Sequence, residues 1–376
     1  MANLTPQEQN TLMRELLKQN SPKILKKLPT VNGTLGGTTR IKLQNTGLIT
    51  RLLANINIPY TTTVAPTNLG NKGAFAAVPK IQLLDFDGSS RINTSAYHLA
   101  VINAMRDRCV FGGDAFVQSN AGLLVSSVGM TDNYRNPLAP LTVAANVLQF
   151  TLEIPLAANA QKGDLRGMLA AQYVSGEIQL AIDLASTLVG TADDDYVFNG
   201  GTMTYGTPTI TVFQEYYLPQ VVRGVTTIPQ MDVSTVYELG VYSRTTDNIA
   251  AGQEKFLNFP TVREVNGVVV DYLNNKLLGG GSNAADLQAF TMYANGNNVI
   301  YQTDQNTQNY IERAALQTDL PQGTFMFDFS AAPVSTALWG NVQLAVVPGT
   351  APTNPAVEVT FESLYAKGSA LTGTPV

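Results

Sequence analysis

From residue 38 onward, apolar side chains recur mostly at alternate positions in short runs. These are Ile41/Leu43, Leu53/Ile56/Ile58 with Tyr60, Ile81/Leu83, Phe150/Leu152/Ile154, Ile178/Leu180/Ile182 and Ile210/Val212. The same texture returns after residue 230, in Val236/Leu239/Val241, Val268/Val270/Tyr272, Phe290/Met292/Tyr293, Phe325/Phe327/Phe329, Val342/Leu344/Val346 and Val357/Val359/Phe361. Clusters of Gly, Pro, Asn and Thr separate the runs. Side chains of a strand point alternately to two faces, so this period predicts β-strands with one buried face. Helical spacing is confined to residues 95–108 and 308–320 and to the N-terminus. The pattern describes an all-β chain with a few short helices.

The N-terminal 27 residues differ from the rest. Thr5-Pro6-Gln7-Glu8 forms a capping box with proline at the first helical position. Leu12, Met13, Leu16 and Leu17 then fall on one helical face, and Pro22 ends the helix. Arg14, Lys18, Lys23, Lys26 and Lys27 outweigh Glu8 and Glu15, giving a side-chain charge of +3 against −8 for the remainder. A basic amphipathic arm, 1–27, thus precedes an acidic body. Such an arm suits a membrane surface, a nucleic acid or a neighbouring subunit, and equally a helix packed on its own body.

The chain also repeats itself. GEIQLAI at 176–182 matches GNVQLAV at 340–346, and PTITVFQE at 208–215 matches PAVEVTFE at 355–362. The matches keep their order, and the first half carries an extra loop at 187–206 between them. A repeat this long exceeds a solenoid unit and fits two tandem β-sandwiches of about eight strands each, the plan of a jelly roll. The junction is expected near 218–231, where Pro219, Gly224 and Pro229 punctuate the chain. The expected organisation is an arm at 1–27, a first jelly roll at 28–219 and a second at 220–376.

Several short motifs carry a resemblance. TVFQEYYL at 211–218, IPQMDVSTVYEL at 228–239 with its Asp-x-Ser-Thr-x-Tyr core, the strand start Trp339-Gly-Asn-Val342 and the early Leu4-Thr5-Pro6 resemble segments of the double jelly-roll major capsid proteins of tectivirus-like, membrane-containing phages. The resemblance implies two jelly rolls side by side and homotrimers with a pseudo-hexagonal footprint. Those trimers would tile an icosahedral shell over an internal membrane, alongside vertex and minor capsid proteins. It places the arm on the inner side, with Leu12, Met13, Arg14, Leu16, Lys18, Lys23, Lys26 and Lys27 facing lipid or a neighbouring trimer. It implies loops 187–206 and 274–288 as outer towers, and assembly in a bacterial cytoplasm with the product in the virion.

Composition fits a structural role. Charged residues make up 14% of the 376-residue chain, against about 25% in ordinary soluble proteins. Interface cores are depleted in charge, so sparse charge is consistent with extensive burial between subunits. One Cys and one His exclude an intramolecular disulfide framework and metal sites that need two imidazoles. The net charge of −5 argues against coating nucleic acid with the whole surface. The polar N-terminus lacks a signal-peptide pattern, and the lone Cys fits a reducing compartment.

The candidate chemical sites are few. His98 and Cys109, if on one helix, stand roughly 16 Å apart along its axis and form no dyad; His98 reads as a core or interface histidine. No Gly-x-Ser-x-Gly elbow accompanies it. Asp193, Asp194 and Asp195 form the densest acidic run, read either as a solvated loop tip or as a site for a hard cation. The Gly-rich stretches at 36–37 and 279–282 lack the context of a phosphate cradle and read as turns. No cofactor and no catalysis are expected. The competing reading is a β-sandwich spike or glycan-binding protein, with a β-sandwich hydrolase third.

Overall fold

The computed structural model describes residues 12 and 15–366, excepting 86–87, 108–114, 120–123, 127–144, 161, 172–175, 192–193, 219–220, 223–224, 227–234, 247–248, 279–286, 317–319 and 350–352. The first half contributes strands β1 (Lys23–Lys27), β2 (Thr38–Lys42), β3 (Leu48–Val64), β4 (Lys80–Leu84) and β5 (Ser90–Thr94), helix α1 (Ala96–Asp107), and strands β6 (Ala145–Pro155), β7 (Gln179–Asp183) and β8 (Thr209–Tyr217). The second half repeats this order. It contributes β9 (Thr235–Thr245), β10 (Lys255–Asn258), β11 (Glu264–Asn274), β12 (Leu287–Ala294), β13 (Asn298–Asp304), helix α2 (Gln305–Leu316), β14 (Thr324–Asp328), β15 (Val342–Pro348) and β16 (Ala356–Ala366).

In each half the eight strands form two facing sheets. The first pairs them as β1-β8-β3-β6 and β2-β7-β4-β5; the second as β9-β16-β11-β14 and β10-β15-β12-β13. These are two jelly rolls with the same strand order. The repeated peptides occupy equivalent places, on β7 and β15 and on β8 and β16. The two rolls also share a sheet, because β5 of the first meets β9 of the second in parallel at Ile92 and Leu239. Close approach is needed where the loop after β6 reaches the start of β9. Gly167 sits there at φ +83°, and a Cβ on it would lie 2.5 Å from the Tyr237 backbone nitrogen.

Burial explains the sequence pattern. In β3 the even positions from Leu52 to Tyr60 face the core, and Leu53 falls on the opposite, half-buried face. Strands β11 and β16 are different: β11 is buried on both faces from Val265 to Leu273, and β16 from Ala356 to Leu364. Val268, Val270, Val357, Val359 and Phe361 pack inside the second roll with Phe290, Phe325 and Phe327. Val269, Leu273, Met326 and Leu364 join the cluster that fills the first roll. The outer face of the second roll's sheet is therefore core for the pair, which is why VVV at 268–270 shows no alternation.

The arm differs from the expectation. Lys23, Lys26 and Lys27 lie on β1, which pairs antiparallel with β8 from Lys23↔Tyr217 to Lys27↔Phe213. They belong to the first roll's sheet, and the arm ends at Pro22. Residues 15–20 are helical, and Leu17 is buried against Leu48, Leu165, Met168 and Tyr217. Leu16 and Lys18 are half-buried and Leu12 is exposed, while Met13 and Arg14 lie outside the described residues.

Helix α2 covers the second roll through a buried carboxyl. Glu312 Oε1 accepts hydrogen bonds from Gln308 Nε2 (2.9 Å) and from the Met326 backbone N–H (2.7 Å) of β14. Burial outweighs these bonds and pushes the Glu312 carboxyl up to about 8, so it is neutral at pH 7. In the unfolded chain it ionises near 4.5. Its stabilising share is complete below that value and is lost as pH rises through about 8. Glu312→Gln should therefore melt higher than the parent at pH 8–9 and no higher at pH 4. A thermal-melting series across pH reads this directly, and equal slopes for the two proteins would refute the neutral carboxyl.

Candidate functional site: the charged seam between the rolls

Helix α1 of the first roll lies against β11 and β14 of the second. Its residues, with Lys72 just before a short 3-10 turn (Gly73–Ala77), meet a row of acidic side chains on the outer face of β11 and β16. Lys72 Nζ lies 2.8 Å from Glu358 Oε2 and 3.8 Å from Asp271 Oδ2. His98 Nε2 lies 3.0 Å from Asp271 Oδ2, and its Nδ1 lies 2.8 Å from Thr360 Oγ1. Thr324 Oγ1 donates to Asp271 Oδ1 (2.8 Å), so the Tyr97 hydroxyl, 2.7 Å away, donates to Thr324. Farther along, Arg106 Nε stands 3.2 Å from Glu362 Oε1 as an ion pair, and that oxygen accepts a hydrogen bond from the Tyr237 hydroxyl (2.8 Å). At the edge, Arg166 Nη1 reaches Glu264 Oε1 at 3.1 Å.

The seam has a polarity. In these pairs the first roll supplies every basic side chain (Lys72, His98, Arg106, Arg166) and the second every acidic one (Asp271, Glu358, Glu362, Glu264). The reverse pair is Asp195 with Arg244, at 2.9 Å. Burial by itself would raise the Asp271 and Glu358 carboxyls. For Asp271 the facing His98 and Lys72 reverse this, and for Glu358 the dominant counter-charge is Lys72; both carboxyls are held below the usual range. Such pairs add little net stability over apolar packing. Removing one partner strands a buried charge and costs about 3–5 kcal/mol. Their effect is to fix which faces meet and in what register.

At its centre the seam is closed, with His98 and Asp271 shut off from solvent. His98, Asp271 and Glu358 are fully buried and have ligand atoms within 4.8 Å of one another, the one such set among the described residues. The Lys72 ammonium already neutralises two of them, so a metal ion would have to displace it. His98 is sealed between the rolls, in keeping with a core or interface histidine; Cys109 lies outside the described residues.

Within the acidic run, Asp194 does not stand at a solvated loop tip, and N–H donors take up its carboxylate oxygens. Asp194 is buried and accepts three N–H groups: Asn71 N (2.7 Å), Asn71 Nδ2 (2.9 Å) and Leu278 N (2.7 Å). Asp195 pairs with Lys72 and Arg244, and Asp193 lies outside the described residues. Loop 187–206 is thus pinned to the second roll near 276–278. Of the 274–288 segment, 279–286 lies outside the described residues.

The sequence reading missed Lys72, Arg106, Asp271, Glu358 and Glu362. The alternation of Glu358, Thr360 and Glu362 with Val357, Val359 and Phe361 reads as a solvated strand face. Only the covering roll makes it a buried one.

Two jelly rolls joined edge to edge, sealed by a non-catalytic seam, define the class of double jelly-roll viral capsid proteins. Family models agree: "P3 major capsid protein N-terminal" matches residues 16–221 and "P3 major capsid protein C-terminal" matches residues 234–374. The chain belongs to the P3 major capsid protein family. It is a structural protein of the virion capsid and assembles with other capsid subunits into a shell. Among solved structures, the chain is similar to a capsid structure of Sulfolobus Turreted Icosahedral Virus (TM-score 0.66, 12% identity, 94% of each chain covered). It is also similar to PBCV-1 VP54 (TM-score 0.57, 12% identity, 92% of this chain and 94% of that one). A third similar structure is the Faustovirus major capsid protein (TM-score 0.51, 9% identity, 97% and 98% covered). No curated protein matches in sequence. Nothing in these likenesses supports the spike or glycan-binding alternative.

Lys72→Met tests the seam. It should destabilise the protein by about 3–5 kcal/mol at pH 7, read by denaturant unfolding. The penalty should shrink on acidification. Carboxylates held below their unfolded values (3.8 for Asp271, 4.5 for Glu358) contribute stability above those values and lose it as pH falls through the folded ones. A penalty independent of pH between 7 and 3 would contradict this account.

Proposed function

We propose that the chain forms homotrimers with a pseudo-hexagonal outline, which tile an icosahedral shell over an internal membrane of a bacterial virus. The observation that carries this is the repeat of one roll plan twice in a chain, with the rolls joined side by side. Three chains then present six similar wedges, so a threefold object fits a sixfold position. Vertex and minor capsid proteins would fill the sites that trimers leave.

The arm takes the inner contacts. Leu17, in its described part, is anchored on the first roll where β3 begins and β8 ends. Residues 1–14, with Leu12, Met13 and Arg14, would contact lipid or a neighbouring trimer, and Lys18 stands beside the Leu17 anchor. Lys23, Lys26 and Lys27 serve the sheet and its edge. Assembly takes place in the host cytoplasm.

Light scattering on the purified protein should give a mass near three times 40.3 kDa. A stable monomer at high concentration would overturn the trimer. Deleting residues 1–14, which spares Leu17 and β1, should leave trimer mass and melting unchanged. It should abolish co-sedimentation with anionic liposomes. Equal sedimentation of both forms would refute the membrane contact.

A further inference from the structure

One end of the molecule collects exposed apolar side chains. Leu12 and Leu218 stand there on the first roll, and Leu218 donates its N–H to the Pro22 carbonyl where the arm ends (3.1 Å). On the second roll the same end presents Val262 at 59%, Leu338 at 84% and Trp339 at 43% exposure. The loop between β6 and β7 connects the two groups. Its Leu165 and Met168 pack on Leu17 of the arm, and its Arg166 reaches Glu264, two residues from Val262.

The backbone holds the second roll's tips outward. Val262 adopts φ +54°, a left-handed conformation that a β-branched residue rarely takes. Thr336 fixes this turn: its Oγ1 accepts the Arg263 N–H (2.9 Å) and donates to the Pro260 carbonyl (2.9 Å), and its own N–H donates to the Arg263 carbonyl (2.9 Å). Thr336 also opens the one-turn helix Thr336–Trp339, so one residue joins the turn bearing Val262 to the helix bearing Leu338 and Trp339. Backbone strain that ends in an exposed valine points to a contact surface. The neighbouring charges are taken up by one another. Arg263 Nε pairs with Glu238 (2.9 Å), its guanidinium lies 3.9 Å from the Tyr365 ring centre, and Arg166 pairs with both Asp164 and Glu264. Neither Glu238 nor Glu264 therefore opposes an anionic surface as an unpaired charge.

We propose that Val262, Leu338 and Trp339 form a second lipid contact, dipping into the boundary between headgroups and acyl chains of a membrane that the arm binds beside them. Single apolar side chains on separate turns at one end of a roll suit a broad apolar layer rather than a keyed protein pocket. An indole favours that boundary because its ring is apolar and its N–H polar. The basic arm supplies the longer-ranged attraction and the tips supply apolar burial at contact, so the arm recruits and the tips seat the second roll on the bilayer. The inference rests on the reading that the shell covers a membrane, and it extends the contact from the first roll to the second.

Trp339 is the one tryptophan of the chain, so tryptophan emission reports this contact alone. Vesicles of equimolar phosphatidylglycerol and phosphatidylcholine, added to the full-length protein, should shift Trp339 emission to the blue. Spin-labelled lipid should quench it more with the label near the headgroup than with the label at the chain end. Leu338→Ser combined with Val262→Asn leaves the reporter in place and should weaken co-sedimentation with these vesicles roughly tenfold. That variant should melt no lower than the parent, because asparagine accepts the left-handed turn better than valine. Vesicles that pellet the parent while Trp339 emission stays unshifted, or a variant that pellets as the parent does, would assign the tips to a protein partner and overturn the lipid contact, leaving the arm's role standing. A parent that does not pellet at all would overturn the membrane reading itself.

Discussion

The outer face of β11 and β16 cannot be left in water. It carries Val269, Leu273 and Leu364 beside Asp271, Glu358 and Glu362, and all of them are buried by the first roll. Apolar burial drives the two rolls together at roughly 25 cal/mol per Å². The carboxylates then have to be matched, because an unpaired buried charge costs several kcal/mol. Lys72, His98 and Arg106 match them from one side. The second roll is a separate core by composition, yet half of its sheet is stable only against its neighbour.

This constraint accounts for the handedness of the charge distribution. With cations on the first roll and anions on the second, roll order and register are set electrostatically. A slip of β16 by one residue would turn Val357, Val359 and Phe361 toward Lys72 and His98, and the acidic row into the apolar core. The same logic explains how loop 187–206 is held: Asp194 takes three N–H groups from segments on both rolls and so ties an inserted loop across the junction.

Legibility differed sharply between fold and seam. Alternation in β6, β7, β8, β12, β15 and β16 was plain because one face meets a core and the other meets something polar. The two short helices were visible from spacing, to within a few residues. The repeat announced two rolls because β7/β15 and β8/β16 keep both their inward apolar positions and their flanking Gly and Pro. The basic run at 23–27 misled: lysines on an edge strand have the composition of a tail, and only pairing with β8 reveals the strand. Asp194 misled in the same way, since a short acidic run in a Gly-rich loop looks solvated.

By itself the sequence determined the β class, the duplicated jelly-roll plan and the lack of any site built on two histidines or two cysteines, because these follow from period, order and residue inventory. The tertiary structure alone decided which polar residues are buried. Glu358 and Glu362 stand in a strand whose alternation is the same whether water or a second roll covers the outer face. Burial is set by what arrives from more than two hundred residues away, Lys72 to Glu358, and no local pattern encodes that arrival.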